Sequence, residues 1–439
     1  MDTRHFPHYP LRLLCICLLL FLESCSLTAG PMGTNATTSR AASSAMFGVD
    51  AEHTHFTSDE HSITYANVSR LVPDWTSFAT GGSIFSSPVV VGGVVFIGSD
   101  VRLYAFSAAG CGKASCQPLW ASTSLGDRVF SSPAVANGVV YIGTYDHRLY
   151  AFNADGCGKA VCTPLWASTP TGSYIDSSPT VADGMVYIGS DDGKLYVFKA
   201  GGCGKAACSP VWTSLSTRGF MQSSPAVAGG RVFVGSFDNM ANGTLYAFNA
   251  HGCGEPACQP LWTFSHTGSG FYSSPAVANG VVFIGSLDNM LYAFNAAGCG
   301  NGSCSPLWTS LPTGSIIESS PAIADGVVFI GSWDHKLYAF NAAGCGTTSC
   351  PPLWTSTATG SIIESSPAVA GGVVFIGSDD GSLYAFDETG CGNPPCAPLW
   401  TSPPTGDAIY SSPAVADGVV YAGSLDHKLY AFHLHGTTP

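Results

Sequence analysis

The sequence predicts an all-β protein, an eight-bladed β-propeller built from four-stranded antiparallel blades. Three motifs recur eight times in one register along the 439 residues: Ser-Ser-Pro, a single Trp, and Leu-Tyr-Ala-Phe, with Val replacing Ala once. Successive Ser-Ser-Pro motifs are 45, 46, 46, 50, 46, 46 and 46 residues apart. A period of this length that divides into four short strands is typical of a propeller blade. The prolines are Pro88, Pro133, Pro179, Pro225, Pro275, Pro321, Pro367 and Pro413, and the tryptophans are Trp75, Trp120, Trp166, Trp212, Trp262, Trp308, Trp354 and Trp400.

The second unit illustrates how the strands are assigned. Residues 132–136 form the first strand, and Asn137-Gly138 forms a tight hairpin turn because both residue types tolerate a positive φ. Residues 139–142 are a continuous β-branched and aromatic run, as expected of a strand buried on both faces. The third strand spans residues 149–152 and, after a loop containing Gly and Cys, the fourth spans 165–168. No stretch has a helical apolar period long enough for a helix.

The phase of the repeat predicts how the ring closes. The first unit begins with a fourth strand at Trp75, and the last unit ends on a third strand, Leu429–Phe432, with no Trp after it. We therefore expect residues 75–79 to pair with residues 429–432. An open sheet would instead leave two exposed strand edges.

The N-terminus predicts export. Arg4 and Arg12 precede an apolar run of ten residues, 13–22, which is too short to span a bilayer but fits the core of a signal peptide. The following Leu-Glu-Ser-Cys resembles a bacterial lipobox, with Cys25 as the acylated residue, although Glu23 departs from the usual small or β-branched residue. The alternatives are a plain secretory signal, in which Cys25 is incidental, and an uncleaved anchor.

The propeller is expected to lie between two short terminal segments. Residues 26–70 are rich in Ser, Thr, Ala and Gly without an apolar period, which predicts a flexible tether. His53, His55 and His61 within it could bind a metal, but we expect a solvated segment. Residues 436–439 are a short tail.

Composition excludes two classes of function. The formal net charge is −13, and only 10% of residues are charged, against about 25% in an average protein. A chain so poor in Lys and Arg is a poor partner for a nucleic-acid backbone. Because the only long apolar run is N-terminal, a bundle of membrane helices is also excluded.

The cysteines predict disulfides. Of the 17, Cys15, Cys17 and Cys25 lie in the predicted signal, and the other fourteen form seven Cys-x4-Cys pairs in the loops between third and fourth strands. In an exported chain such pairs indicate disulfides. Zinc is the alternative, but each loop supplies two thiolates where a structural zinc site needs four ligands. The pairs are Cys111/Cys116, Cys157/Cys162, Cys203/Cys208, Cys253/Cys258, Cys299/Cys304, Cys345/Cys350 and Cys391/Cys396.

The repeat unit resembles a known family. Ser-Ser-Pro-Ala-Val-Ala-Asn-Gly-Val-Val-Tyr-Ile-Gly, then Asp-x-x-Leu-Tyr-Ala-Phe, then Leu-Trp and Thr-Gly, is similar to the pyrroloquinoline-quinone (PQQ)-like propeller repeat over residues 71–435. This resemblance implies one of two classes. Quinoprotein dehydrogenases bind PQQ and calcium on an eight-bladed propeller, whereas a non-enzymatic branch includes the lipoprotein scaffold of the outer-membrane β-barrel assembly machinery.

The site features that the resemblance implies for the enzymes are not recognisable. Those enzymes stack the quinone between a Trp and a ring of adjacent cysteines, and no two cysteines are adjacent here. Only Trp333 lies outside the repeat pattern, and the only insertion is four residues around 239–244. We therefore expect no catalytic residues and no bound PQQ, calcium or other metal.

An aspartate precedes every Leu-Tyr motif, and function is expected elsewhere. A residue that every blade carries is expected to serve every blade, here as an Asx turn that accepts backbone N–H bonds, rather than as a calcium ring. These aspartates are Asp100, Asp146, Asp192, Asp238, Asp288, Asp334, Asp380 and Asp426.

The candidate binding face comprises positions that vary between repeats and share one end of the propeller. They precede Ser-Ser-Pro or the repeated Asp, and exposed aromatic residues on a rigid ring indicate a binding surface. The predicted face comprises Phe85, Phe130, Asp176, Gln222, Tyr272, Glu318, Glu364, Tyr410, Tyr145, Phe237 and Trp333.

These observations predict an exported, lipid-anchored propeller of the cell envelope or the extracellular space. We expect a monomer that acts as a non-catalytic protein-binding or scaffolding module, with a protein or an extracellular polymer as its partner. The alternatives are a PQQ-dependent dehydrogenase and a carbohydrate-binding or adhesion protein.

Overall fold

The computed structural model describes residues 46–436 except 218, 239–241, 267 and 301, and it confirms the predicted all-β, eight-bladed propeller. We number the blades 1 to 8, starting from the blade whose inner strand is Val89–Val91. Among the described residues the helical structure is a single 3₁₀ turn, Val68–Arg70, and no helix there has the length and apolar character needed to cross a membrane.

Every blade has an inner strand beside the channel, then a second, a third and an outer strand. The inner strands are Val89–Val91, Ala134–Ala136, Thr180–Ala182, Ala226–Ala228, Ala276–Ala278, Ala322–Ala324, Ala368–Ala370 and Ala414–Ala416. The second strands are Val94–Ser99, Val139–Gly143, Met185–Ser190, Arg231–Phe237, Val281–Gly285, Val327–Gly331, Val373–Gly377 and Val419–Gly423. The third strands are Arg102–Ser107, Leu149–Asn153, Lys194–Lys199, Gly243–Asn249, Leu291–Asn295, Leu337–Asn341, Leu383–Asp387 and Leu429–Leu434. The outer strands, from blade 1 to blade 8, are Trp120–Ser122, Trp166–Ser168, Trp212–Ser214, Trp262–His266, Trp308–Ser310, Trp354–Thr355, Trp400–Thr401 and Leu71–Ser77.

The Ser-Ser-Pro motif joins neighbouring blades around the channel. In each blade the second Ser donates its backbone N–H to the hydroxyl of the second Ser in the next blade, over 2.9–3.1 Å. The first Ser accepts the N–H of the Gly in the second strand of its own blade. The last bond, from Ser412 to Ser87, completes a ring of eight hydrogen bonds. The motif therefore recurs because each buried N–H needs a partner that only the adjacent blade supplies.

The repeated Trp packs beneath a Cys loop of the next blade. In seven loops a Gly with positive φ lies so close to this indole that a Cβ there would come within 2.5–2.9 Å of its Cδ1 atom. The five loops with extended pairing each add a short parallel strand to the outer strand of the preceding blade: Ser115–Cys116, Val161–Cys162, Ala207–Cys208, Ala257–Cys258 and Ser349–Cys350. Single bridges from Ser303 and Cys396 do the same in the other two. Each loop thus covers an edge that would otherwise be open to association.

All seven predicted disulfides are formed, each within its own Cys loop. The second Cys of each pair lies on the segment that covers the neighbouring blade. We call each Cys loop, together with its disulfide, a rim clasp. The described part of blade 8 contains no Cys loop, and Trp400 of blade 7 instead donates to the Leu71 carbonyl at 3.0 Å.

The second Cys of each pair lies in the predicted loop, and its side chain is buried. Cys304 is an example: it is 6% exposed, packs in one cluster with Trp262 of the preceding blade, and donates its N–H to the Thr263 carbonyl at 2.8 Å. Its six equivalents are each 3% exposed and clustered with a repeated Trp: Cys116, Cys162, Cys208, Cys258, Cys350 and Cys396. These cysteines are buried because the covering segment presses them onto the neighbouring blade, whereas the sequence shows each pair only within its own repeat.

The predicted ring closure is confirmed, with a longer strand than expected. Leu71–Ser77 pairs antiparallel with Leu429–Leu434, with Leu71 opposite Leu434 and Thr76 opposite Tyr430. Trp75 is 3% exposed within this strand. The strand begins four residues before the predicted start because Leu71 is also apolar and buried.

The predicted flexible tether is wrong for residues 46–70; residues 26–45, like Cys25, lie outside the described residues. Residues 46–63, which we call the channel segment, follow the inner strands of blades 4 to 7. The carbonyls of Ala51, Glu52, Thr54 and His55 accept N–H bonds of 2.6–2.8 Å from these strands. Phe56–Thr57 then pairs in parallel with Ala368–Ala370. The segment is ordered because free inner edges of the sheets offer it backbone hydrogen bonds.

The side chains of the channel segment are buried as well. His53 and His55 are 1% and 2% exposed, and the Nε2 atom of His53 lies 2.9 Å from the Thr180 hydroxyl. Glu60 accepts the N–H of Gly418 in the blade 8 hairpin at 2.8 Å. The expectation of solvated histidines is therefore also wrong for His53 and His55, whereas His61 is exposed.

Candidate functional site

The two ends of the propeller carry different loops. At one end the hairpin turns lie beside the Cys loops, as in the 2.9 Å bond from the Ala154 N–H to the Gly138 carbonyl. At the other end the loops that enter the inner strands contact the loops between second and third strands, as in the 3.0 Å bond from Tyr145 N–H to the Arg128 carbonyl. We call this second end the mouth face. The predicted separation of variable loops from Cys loops is confirmed.

The structure places the predicted binding residues together on the mouth face. The residues that precede the eight Ser-Ser-Pro motifs are all half-buried, and so are Tyr145 and Trp333. The indole N–H of Trp333 is buried and has no hydrogen-bond partner among the described residues. The eight residues that precede Ser-Ser-Pro form a ring around the channel mouth, because each lies three residues before the Pro that directly precedes an inner strand. Their binding role stays a prediction.

One sector of the mouth is an aromatic arc. Ring centroids are 5.7 Å apart between Tyr410 and Phe85, 4.5 Å between Phe85 and Phe130, and 4.8 Å between Phe130 and Tyr145. Tyr174, 44% exposed, continues the arc at 4.7 Å from Tyr145. The first two pairs are tilted and the last two are stacked, and aromatic rings at these distances stabilise one another and present an apolar surface.

Phe237 differs from the prediction, because it is only 8% exposed. Its ring stacks on Tyr272 at 3.9 Å and contacts Phe220 at 5.4 Å. The longer loop of blade 4 lets the second strand continue to Phe237, which turns this side chain inward. Phe237 therefore supports Tyr272 from beneath rather than forming part of the exposed face.

The remaining sector is acidic. Asp176, Glu318 and Glu364 stand at the mouth, and Asp191 and Asp379 join them from the loops between second and third strands. Tyr145 donates to Asp176 at 2.6 Å, and Gln222 donates to Asp191 at 3.2 Å. One oxygen of each of the three aspartates is buried without a hydrogen-bond partner among the described residues.

Burial and mutual repulsion change the ionisation of this sector. Burial is the main cause that raises the pKa of Asp176, Glu318, Glu364 and Asp379 to about 7. The neighbouring carboxylates add to each increase, with Asp379 acting on Glu318 and Glu318 acting on Glu364. Near neutral pH the sector therefore holds both protonated and charged carboxyls, a setting that favours cationic groups.

The repeated aspartates have the structural role predicted for them in six blades. Asp146, Asp192, Asp288, Asp334, Asp380 and Asp426 each accept the N–H of the residue two positions later and the hydroxyl of the repeated Tyr. Across the described ranges, no group of three or more His, Cys, Asp or Glu side chains is arranged to hold a metal ion.

Sequence reasoning missed several residues of the mouth face. Asp191 and Asp379 occupy the same loop position as Tyr145 and Trp333, so alignment of all eight loops was a sufficient signal to find them. Arg128 lies two residues before Phe130 in an entry loop. It has no counterpart of the same charge in the other repeats, which was also visible in the sequence.

The acidic sector predicts a specific pH dependence of stability. A carboxyl with a raised pKa holds more protons in the folded than in the unfolded protein between pH about 4 and 7, so the free energy of unfolding falls as pH rises through that window. The double variant Glu318→Gln, Glu364→Gln should raise Tm at pH 8 by about 2–4 °C, the shift that roughly 1 kcal/mol causes in a large domain. At pH 5 it should melt like the parent.

Thermal melting at both pH values measures this difference, with Glu255→Gln, an exposed carboxylate of a Cys loop, as the matched control. An equal Tm for parent and double variant at pH 8 would contradict the assigned repulsion.

Comparison with known proteins agrees with the fold and its repeats. The sequence profile described as "Outer membrane protein assembly factor BamB" matches residues 66–202, 163–253 and 252–436. No curated protein sequence matches the chain significantly.

Three solved structures illustrate the similarity of fold. The quinohemoprotein alcohol dehydrogenase from Comamonas testosteroni has a TM-score of 0.68 at 16% identity, covering 92% of this chain and 82% of that one. BamB from Moraxella catarrhalis has 0.60 at 14% identity, covering 84% and 98%. The computationally designed Ika8 protein has 0.65 at 14% identity, covering 82% and 99%. At these identities the similarity shows the fold alone. Because the profile matches extend over most of the sequence, the chain belongs to the family of the outer membrane protein assembly factor BamB.

Proposed function

We propose that this protein is a non-catalytic binding module of the cell envelope, and that a protein partner docks on its mouth face. The observation that carries the proposal is the contrast between the two ends of the propeller. The Cys-loop end repeats one Gly-Cys-Gly-x-x-x-Cys pattern in seven loops, whereas the mouth face carries an aromatic arc and an acidic sector that differ from blade to blade. Aromatic side chains are enriched in protein-binding surfaces, and the polar groups of such surfaces lie at the rim.

The charge of the mouth indicates the chemistry of the partner. Five carboxyl groups lie in or beside one half of the mouth, and burial and repulsion raise the pKa of each of them. A partner that inserts Lys or Arg side chains would relieve this repulsion and pair with the buried oxygens of Asp176, Asp191 and Asp379. We therefore propose a partner segment that is basic and carries aromatic or apolar residues for the arc.

The family name and the N-terminal sequence support an envelope location. Residues 1–25 have the composition of an export signal with a lipobox-like Cys25, and seven disulfides fit an oxidising compartment. We propose export and lipid attachment at Cys25 on these grounds.

The dehydrogenase alternative has less support. The enzymes stack the quinone on a ring formed by adjacent cysteines, whereas the fourteen cysteines here form seven disulfides between residues five positions apart, in the Cys loops. The channel segment also occupies the inner edges of four blades. The disulfide-bonded cysteines and the channel segment therefore do not fit a PQQ site, and we derive no reaction step through PQQ.

Site-specific photo-cross-linking tests the proposal. A photoreactive amino acid in place of Gln222 or Tyr410 should give a cross-linked product of discrete mass in envelope preparations from a bacterium with an outer membrane. The same amino acid at Lys159 or Glu255, on exposed Cys loops, should give none. Glu318→Gln, Glu364→Gln should lower the yield from Gln222, because the proposed partner is basic.

Two results would overturn the proposal. One is equal cross-linking from both ends of the propeller, or none from either. The other is a dye-linked oxidation of alcohols or sugars by the purified protein that depends on added PQQ and calcium.

A further inference from the structure

The loop between the second and third strands of blade 1 is one residue shorter than its equivalents. Ser99 pairs with Arg102, so only Asp100 and Val101 form the turn, and Asp100 adopts φ 52°. In blade 2 three residues, 145–147, form the equivalent turn. This deletion accounts for the single 45-residue spacing among the repeats.

In the other blades the extra residue joins the loop between the second and third strands to the loop that enters the inner strand, at the mouth face. Its N–H donates to a carbonyl of the entry loop: Tyr145 to Arg128, Asp191 to Tyr174, Phe237 to Phe220, Leu287 to Gly270, Trp333 to Ile316, Asp379 to Ile362 and Leu425 to Ala408. In blade 2 its side chain also crosses to blade 3, where the Tyr145 hydroxyl bonds to Asp176. Blade 1, which the structure describes in full, has no such residue.

A cleft of about 400 Å³ lies where that residue is missing. Blades 8, 1 and 2 all contribute to its wall, and its main lining residues are Ser83, Phe85, Asp100, Arg128, Phe130 and His427. The Phe85 and Phe130 rings form its apolar side, 4.5 Å apart between centroids. The volume is within the range of about 300–1,000 Å³ that small-molecule sites have.

Two charged side chains in this cleft depart from the repeat. Arg128 is the only cation at its position, where the other repeats have Ser83, Tyr174, Phe220, Gly270, Ile316, Ile362 and Ala408. Asp100 lacks the bond to the repeated Tyr, because Tyr104 donates instead to the Thr80 carbonyl at 2.5 Å. Among the described residues neither the Asp100 carboxylate nor the Arg128 guanidinium has an ion-pair or hydrogen-bond partner. Both are exposed and available to a ligand.

We propose that this cleft binds an uncharged saccharide, a ligand beyond the protein partner proposed above. A carboxylate only accepts hydrogen bonds and a guanidinium only donates them, whereas each sugar hydroxyl does both and so satisfies the pair. Asp100 and Arg128 together carry no net charge, which favours a neutral ligand over an ion. The apolar face of a pyranose ring packs on Phe85 and Phe130, because these two side chains offer a large hydrophobic surface.

Binding of the purified full chain to an array of neutral oligosaccharides tests the inference, with titration calorimetry on the strongest hits. N-acetylneuraminic acid, galacturonic acid and the dipeptide Gly-Phe serve as charged probes. We expect saturable binding of a neutral saccharide, weakened at least about 10-fold by Arg128→Ala and by Asp100→Asn, since each removes a charged hydrogen-bonding partner. Lys159→Ala, which removes one exposed cation from a Cys loop, should bind like the parent.

A second change tests the geometry of the cleft rather than its charge. Insertion of one Tyr between Ser99 and Asp100 restores the three-residue turn, and it should abolish saccharide binding while the protein melts as the parent does. The inference is overturned if no neutral saccharide binds, if a charged probe binds in preference, or if binding survives Arg128→Ala and the inserted Tyr.

Discussion

A protein that begins at residue 80 is expected to melt roughly 10 °C or more below one that begins at residue 65, because it lacks the outer strand of blade 8. That strand buries Trp75 and Leu71, at 3% and 4% exposed, and supplies the Leu71 carbonyl that the Trp400 indole needs. Truncation of a buried Trp costs about 3–5 kcal/mol and of a buried Leu about 2–5 kcal/mol, and each kcal/mol shifts Tm by about 2–4 °C.

The same truncation should associate, because Leu429–Leu434 becomes an unpaired edge. Thermal melting and size-exclusion chromatography measure both effects. Trp75→Ala in the otherwise intact protein supplies a second test that removes no chain, and it should lower Tm in the same direction. If the protein that begins at residue 80 stays monomeric and has the same Tm as the protein that begins at residue 65, Leu71–Ser77 does not close the ring.

Removal of the channel segment is the second large effect. A protein that begins at residue 65 should melt roughly 5 °C below one that begins at residue 46, a loss of about 2 kcal/mol on the same scale. It loses Ile63, which is fully buried, and the backbone bonds to blades 4 to 7. The free N–H groups then bond to water in the channel, which keeps the loss below that of the outer strand.

This gap in Tm should narrow in acid. Burial lowers the pKa of His53 and of His55 to about 3, with His53 adding to the effect on His55. Between pH about 6.5 and 3 the unfolded histidines bind protons that the folded ones do not, so the contribution of the segment falls as pH falls. Melting both truncations at pH 7.5 and pH 4.5 measures the change. A gap that stays constant would show that neither histidine is buried in a neutral form.

The features that could be predicted from the sequence are those that every blade repeats. Ser-Ser-Pro, the repeated Trp and the Cys pairs each stabilise a blade or its contact with the next blade. Because each feature recurs seven or eight times at a fixed position, the sequence alone reveals it. Closure followed from phase alone, since Trp75 precedes the first complete blade and no Trp follows Phe432. The structure extended the closing strand because Leu71 also packs in it.

The features that escaped prediction depend on contacts that occur once or that join two repeats. The channel segment is held by carbonyls of residues 51–55, and backbone carbonyls leave no side-chain pattern to recognise. Phe237 is buried because an insertion lengthens its strand, and the sequence shows an insertion without showing which way the side chain turns. The cleft arises from one missing residue, and the 45-residue spacing between two Ser-Ser-Pro motifs reveals that residue's absence. That the gap opens at the mouth face could be seen only in the structure.

The rim clasps give the propeller a particular response to reducing conditions. Each disulfide closes a small loop within one blade, yet that loop lies over the edge of its neighbour, so an intramolecular redox event acts between two repeats. Reduction of one clasp would loosen one junction and leave the other six and the ring of serine hydrogen bonds in place. Reduction of the disulfides therefore weakens the contacts between blades one at a time rather than all together. In a reducing compartment the protein would keep its fold while losing, junction by junction, the covers that prevent its blades from pairing with other chains.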